Sequence, residues 1–153
     1  MDVGQPAFEL GTDGPNSILV GVDGSEASLR AGAYAAGMAR RQGSRLTVVF
    51  ARPLPGVAFA LDETGVVGLA QLEANDAVEA ELRERLRRYV YELAVGIVVR
   101  RGPPFKVITG VADEVRAEAI VVGSSRPGVV LRPGGPLAVQ LVKARRWPVI
   151  VVP

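Results

Sequence analysis

Residues 17–25, SILVGVDGS, decide how the chain is read. Ser17 to Val22 is a short apolar run without alternating polar side chains, the pattern of a strand covered on both faces. Asp23-Gly24 breaks the run, and Ser25 is a residue type that caps a helix. A buried strand that passes at once into a helix is the opening of a strand–helix–strand unit.

Outward from this stretch the pattern repeats. The helix capped by Ser25 is expected to continue through Gln42, to bury Leu29, Ala33, Ala36 and the stem of Arg40, and to end at Gly43. Its small side chains let it lie close to a sheet. Arg45 to Ala51 (RLTVVFA) is the second strand, and Arg52 to Gly68, with prolines and glycines among apolar residues, is a loop that folds over something. From about Ala70 to Ala94, Val78, Leu82, Leu86, Tyr89 and Leu93 recur at helical spacing, with Glu79–Arg83, Glu81–Arg85 and Glu84–Arg88 paired outside. Gly96 to Arg100 is a third strand, and after Pro103-Pro104 a helix aligns Ile108, Val111, Ala112 and Val115. Ala119 to Val122 is a fourth strand, Pro136 to Arg146 a last helix, and Val149 to Val152 a last strand. Alternating strands and helices imply an α/β fold, a doubly wound parallel sheet with helices on both faces.

Composition bounds what such a domain does. The chain has 153 residues, 48% of them hydrophobic, enough for one core and too few for two ordinary domains. Residues 1–16 mix Gly, Pro, Asp and Asn without periodicity and are expected to form a flexible tail on a domain of residues 17–153. Eighteen Lys and Arg against 16 Asp and Glu leave +2. The isoelectric point near 9.4 follows from the lack of histidine rather than from a basic surface, so no nucleic-acid partner is expected. Without cysteine there is no disulfide, thiolate metal site or thiol nucleophile, and without histidine the commonest general base is missing. Conventional enzyme chemistry is thereby left with few tools. The start lacks a basic region followed by a long apolar stretch, and no segment is apolar over a membrane-spanning length, so a cytoplasmic location away from membranes is expected.

In open parallel sheets, ligands bind beyond the carboxyl ends of strands where the strand order reverses. The first strand ends in GVDGS and the fourth in VVGSSRPG, both combining glycines with hydroxyl or carboxylate groups. Candidate ligand residues are therefore Val22, Asp23, Gly24 and Ser25 on one side and Gly123, Ser124, Ser125, Arg126 and Gly128 on the other. Helix N-termini after Ser25 and at Gly135-Pro136 add amide donors that suit a phosphate. Each residue also has a plain structural reading. Gly24, Gly123 and Gly135 make tight turns, Asp23 either binds a ribose hydroxyl or magnesium or begins a turn, and Arg126 either meets a phosphate or is solvated. Trp147 reads as a packing or dimer residue.

Taken together, ILVGVDGSEASLRA, RLTVVF, AIVVGSS and KARRWPVIVV resemble the universal stress protein family over Ser17 to Pro153. The resemblance implies a five-stranded sheet of order 3-2-1-4-5, with the first and fourth strands side by side. It also implies an adenine-nucleotide cleft, for ATP or AMP, in which Asp23 lies near the ribose and would ligate magnesium carried by the nucleotide. Leu46 would line the adenine and Gly123 would open a G-x2-G-x9-G-(S/T) phosphate signature. Against that signature, Arg126 replaces the second glycine, with Gly128 two residues later, and the loop to Gly135 is one residue short. Pro136 replaces the Ser or Thr, removing a hydroxyl and an N–H. Two donors lost to a charged phosphate cost about 1.5–3 kcal/mol each, enough to turn micromolar affinity into millimolar. The resemblance thus implies a non-catalytic stress-response protein with weak or lost ATP binding, the alternative being an ATP-binding member with slow hydrolysis at most. Family members often dimerise through the last strand, and Val149, Ile150, Val151 and Val152 here form an uncharged, β-branched strand that a twin would protect.

Overall fold

Each strand but the last is followed by a segment long enough for a helical crossover, which is what parallel neighbours need. The computed structural model describes residues 16–52, 66–87, 93–124 and 135–153 and shows that arrangement. The elements are β1 (Ser17–Val22), α1 (Glu26–Gln42), β2 (Arg45–Arg52), α2 (Val66–Arg87), β3 (Val95–Arg101), α3 (Pro104–Glu114), β4 (Ala119–Gly123), α4 (Leu137–Ala144) and β5 (Val149–Val152). They form one five-stranded sheet in the order β3-β2-β1-β4-β5, with every pairing parallel. The order reverses between β1 and β4, where Ile18 faces Ala119 and Gly21 faces Val122.

Alternate residues of the central strands feed two cores. Ile18, Val20, Val22, Leu46, Val48, Phe50 and Val121 face the alanines of α1 and Leu82 of α2. Leu19, Val49, Ile120 and Val122 face Val107, Ile108, Val111 and Ala112 of α3 and Leu141 of α4. Helices therefore cover both faces, and strands buried on both sides have no polar alternation to show.

Local boundaries follow from identifiable residues. The Ser25 side chain accepts the Ser28 N–H at 3.2 Å to start α1, and Gly43, at φ 65°, ends it. The buried face of α1 differs from the expected one. Ala27, Ala31, Ala35 and Ala39, four apart, meet the sheet with Ser28 and Ala36, whereas Ala33 and Arg40 are exposed and Leu29 is half-buried. A helix rich in alanine has little contrast between its sides, so the pattern left the face ambiguous.

Other differences are at element ends. Arg52 closes β2 and α2 begins at Val66, which shortens the expected loop from both sides; residues 53–65 lie outside the described residues. The described part of α2 stops at Arg87. Leu93 and Ala94 lie outside the helix, and buried Leu93 precedes β3, because its apolar side chain extends the core past the helix. The pairs Arg83–Glu79 and Arg85–Glu81 form at 3.0 and 2.6 Å, and Glu84 meets Arg87 at 3.7 Å. Arg88 lies outside the described residues, as do Tyr89 and the tail residues 1–15. Pro136 adopts an extended conformation (ψ 144°) and serves as the N-cap of α4 rather than its first helical residue. Arg145, at φ 54°, stops the helix before Arg146.

Candidate functional site

The carboxyl tips of β1 and β4 lie side by side, as the register of Gly21 with Val122 requires. Just beyond β1, Asp23 Oδ1 accepts the Ser25 N–H at 2.9 Å, and the Asp23 N–H donates to Ser28 Oγ at 3.2 Å. Ser28 Oγ in turn donates to the Ser25 carbonyl at 2.9 Å. Asp23, Ser25 and Ser28 thus hold one another, and the carboxylate is oriented before any ligand arrives. This turn delivers the N-terminus of α1, whose first amides have no acceptor within the helix, to the tip of β4.

The described glycines have structural tasks of their own. A Cβ on Gly123 would lie 2.5 Å from the carbonyl carbon of Ala27 and 2.7 Å from the Ser28 nitrogen, so β4 ends against the backbone of α1. Gly24 adopts φ +85° and faces Val78 of α2, whose Cγ1 would be 2.9 Å from a Cβ there. Gly135 has φ +84° with open space around its missing Cβ, so the backbone conformation alone asks for glycine. Its carbonyl accepts Gln140 Nε2 at 2.8 Å. Pro136 makes no side-chain bond to the start of α4.

Val22, Asp23, Gly24, Ser25, Gly123 and Ser124 are therefore brought together at the reversal point, Ser124 being held by its N–H to the Val152 carbonyl at 2.7 Å. Ser125, Arg126 and Gly128 lie outside the described residues. Leu46 is not part of the cleft. It pairs with Ile18 and Val95 near the amino edge of the sheet and is 1% exposed. Four residues of strand, about 13 Å, separate that level from the tips. The β2 residue level with Val22 is Phe50.

Sequence reasoning also missed Arg52. Its guanidinium, at the end of β2, lies 2.5 Å from Asp76 and 3.5 Å from Glu79 of α2, a partnership across more than twenty residues that no local spacing announces. Trp147 packs half-buried against the core under α3 and α4, with Arg146 stacked 4.4 Å from its ring centre. Among the described residues no three His, Cys, Asp or Glu gather to hold a metal ion. No described helix is long and apolar enough to cross a membrane.

The family model for the universal stress protein family matches residues 15–153. The chain belongs to this family. Among solved structures, this universal stress protein is similar to UspA from Lactobacillus plantarum, with 21% identity and a TM-score of 0.66 over 93% of this chain and 100% of that one. It is similar to a family protein from Burkholderia pseudomallei, at 23% identity and a TM-score of 0.63 over 91% and 96% of the two chains. A universal stress protein in complex with cAMP matches at 26% identity and a TM-score of 0.58, over 90% and 97%. No curated protein matches.

Proposed function

We propose that this universal stress protein is a non-catalytic cytoplasmic homodimer whose cleft takes an adenine nucleotide with a weakened grip on a triphosphate. The observation that carries the reading is the adjacency of the β1 and β4 tips at the reversal of strand order, with the Ser25-capped start of α1 between them. Asp23 would meet the ribose and would be the protein carboxylate offered to nucleotide-bound magnesium. The Ser124 hydroxyl and the first amides of α1 would meet phosphate oxygens.

Two observations favour few phosphates. Pro136 stands at the N-cap of α4 with neither hydroxyl nor N–H to offer. Two described cations near the tips have other partners. Arg52 holds Asp76 and Glu79, while Arg30 donates to the Pro153 carbonyl and lies 3.8 Å from Glu26. The similar protein that was crystallised with cAMP supports a ligand with one phosphate. Equilibrium titration with labelled ATP, AMP and cAMP tests this, the expectation being that ATP binds no more tightly than AMP. Tight, magnesium-dependent ATP binding abolished by Asp23→Ala would establish the alternative, an ATP-binding member.

The dimer is proposed through β5. Among the described residues this strand pairs only with β4, so its outer edge presents backbone groups that no described strand meets. The exposed large hydrophobics among the described residues are Val151 of β5, Val139 and Val142 of α4, and Tyr34 of α1, and both helices pack against β5. A second copy adding its own β5 would cover them. Light scattering at micromolar concentration should give a dimer, and Val151→Lys a monomer; a wild-type monomer would refute the assembly.

A further inference from the structure

Arg52 and Gly24 lie at the tips of adjacent strands, and both are touched by one short stretch of α2. The Arg52 side chain is only 15% exposed, and its guanidinium bridges Asp76 at 2.5 Å and Glu79 at 3.5 Å. Glu79 is braced from its other side by Arg83 at 3.0 Å. Between the two acids, Val78 presses on Gly24, the centre of the turn that orients Asp23. A charged contact to β2 and an apolar contact to the β1 turn therefore fall on residues 76, 78 and 79. Among the described side chains of α2, buried Leu82 and partly buried Val78 reach the core.

We infer that Arg52 is a positioning residue for the candidate cleft: its ion pairs with Asp76 and Glu79 set α2 against the Gly24 turn and so fix the wall that a nucleoside would meet. The mostly buried guanidinium and Glu79, 22% exposed, are screened by solvent less than the exposed pairs further along α2, and the planar fork sets a direction as well as an attraction. Release of the pair lets α2 move off while the sheet and α1 stay folded. The effect on ligand rests on the adenine-nucleotide reading above; the effect on α2 does not.

The test is Arg52→Met, which keeps an apolar stem and removes the charge, beside Arg52→Lys, which restores it. In hydrogen exchange of the full chain, the Val78 to Leu82 amides should exchange about tenfold faster in Arg52→Met, with β1, β2 and α1 unchanged and Arg52→Lys recovering much of the protection. Bound AMP should dissociate several-fold faster from Arg52→Met at an unchanged denaturation midpoint. Faster exchange spread evenly over the chain, or none in α2, would overturn the inference. A looser α2 with AMP leaving at the wild-type rate would refute the coupling to the cleft. If the wild-type protein takes no AMP at millimolar concentration, the nucleotide reading fails, and the exchange data still decide what Arg52 does to α2.

Discussion

α1 meets the sheet through alanines four residues apart, whereas the described side chains of α2 meet it through Leu82, Val78 and two carboxylates held by Arg52. In the first case backbone lies on backbone, and Gly123 is where they touch. In the second, the tips of side chains lie on a turn, and Gly24 is where they touch. Both contacts are short, but a backbone shifts only if an element moves, while a valine can rotate or its helix can tilt. The candidate site is thus bounded by one stiff wall and one that gives.

The sharpest way to break this comparison is a methyl group on each glycine. Gly123→Ala drives a Cβ to 2.5 Å from the Ala27 carbonyl carbon and should cost about 2–3 kcal/mol of unfolding free energy, read from denaturant midpoints. A cost below about 1 kcal/mol would mean that α1 yields after all. Gly24→Ala should cost less, about 1–2 kcal/mol, mainly because an L-residue is strained at its positive φ. Val78→Ala should cost less on the Gly24→Ala background than in the wild type, because there it also relieves the clash. If the two losses simply add, α2 does not press on the turn.

The smallest effect belongs to a pair away from both walls. Arg100 hydrogen-bonds Glu114 at 2.6 and 2.7 Å on an exposed surface, and that bond holds the Glu114 carboxyl below its usual range. A lowered folded-state pKa adds stability that is complete above the ordinary glutamate value, about 4.3, and disappears as pH falls through the lowered one. Glu114→Gln should therefore unfold slightly more easily at neutral pH and converge on the wild type in acid. A gap that stays constant with pH would assign the effect to packing instead of charge.

The alternation of apolar strands and helices was legible because a doubly covered strand is apolar throughout, and Ser25, Gly43 and Pro104 marked helix ends by their own chemistry. The α1 face was not, since alanine occupies both sides of it. The position of Leu46 was legible: it stands second in the strand read as Arg45 to Ala51, at its amino end, so its assignment to the adenine came from the family resemblance and not from the residues, and the register with Ile18 shows the conflict. At the site, the Asp23-Gly24-Ser25 turn could be read from local chemistry. The second role of Gly123, against α1, and the partnership of Arg52 depend on contacts made across the fold, which residue spacing does not encode.

The contact between Gly123 and Ala27 ties the shape of the candidate site to the survival of the molecule. Any larger residue at that strand tip disturbs the seam that holds the first helix to the sheet, so the defect would be felt first as a greater fraction of unfolded chains exposed to chaperones and proteases. In a cell, such a variant would betray itself through low abundance at normal transcript levels, and the copies that remained would have to be assayed at equal concentration before their affinity meant anything.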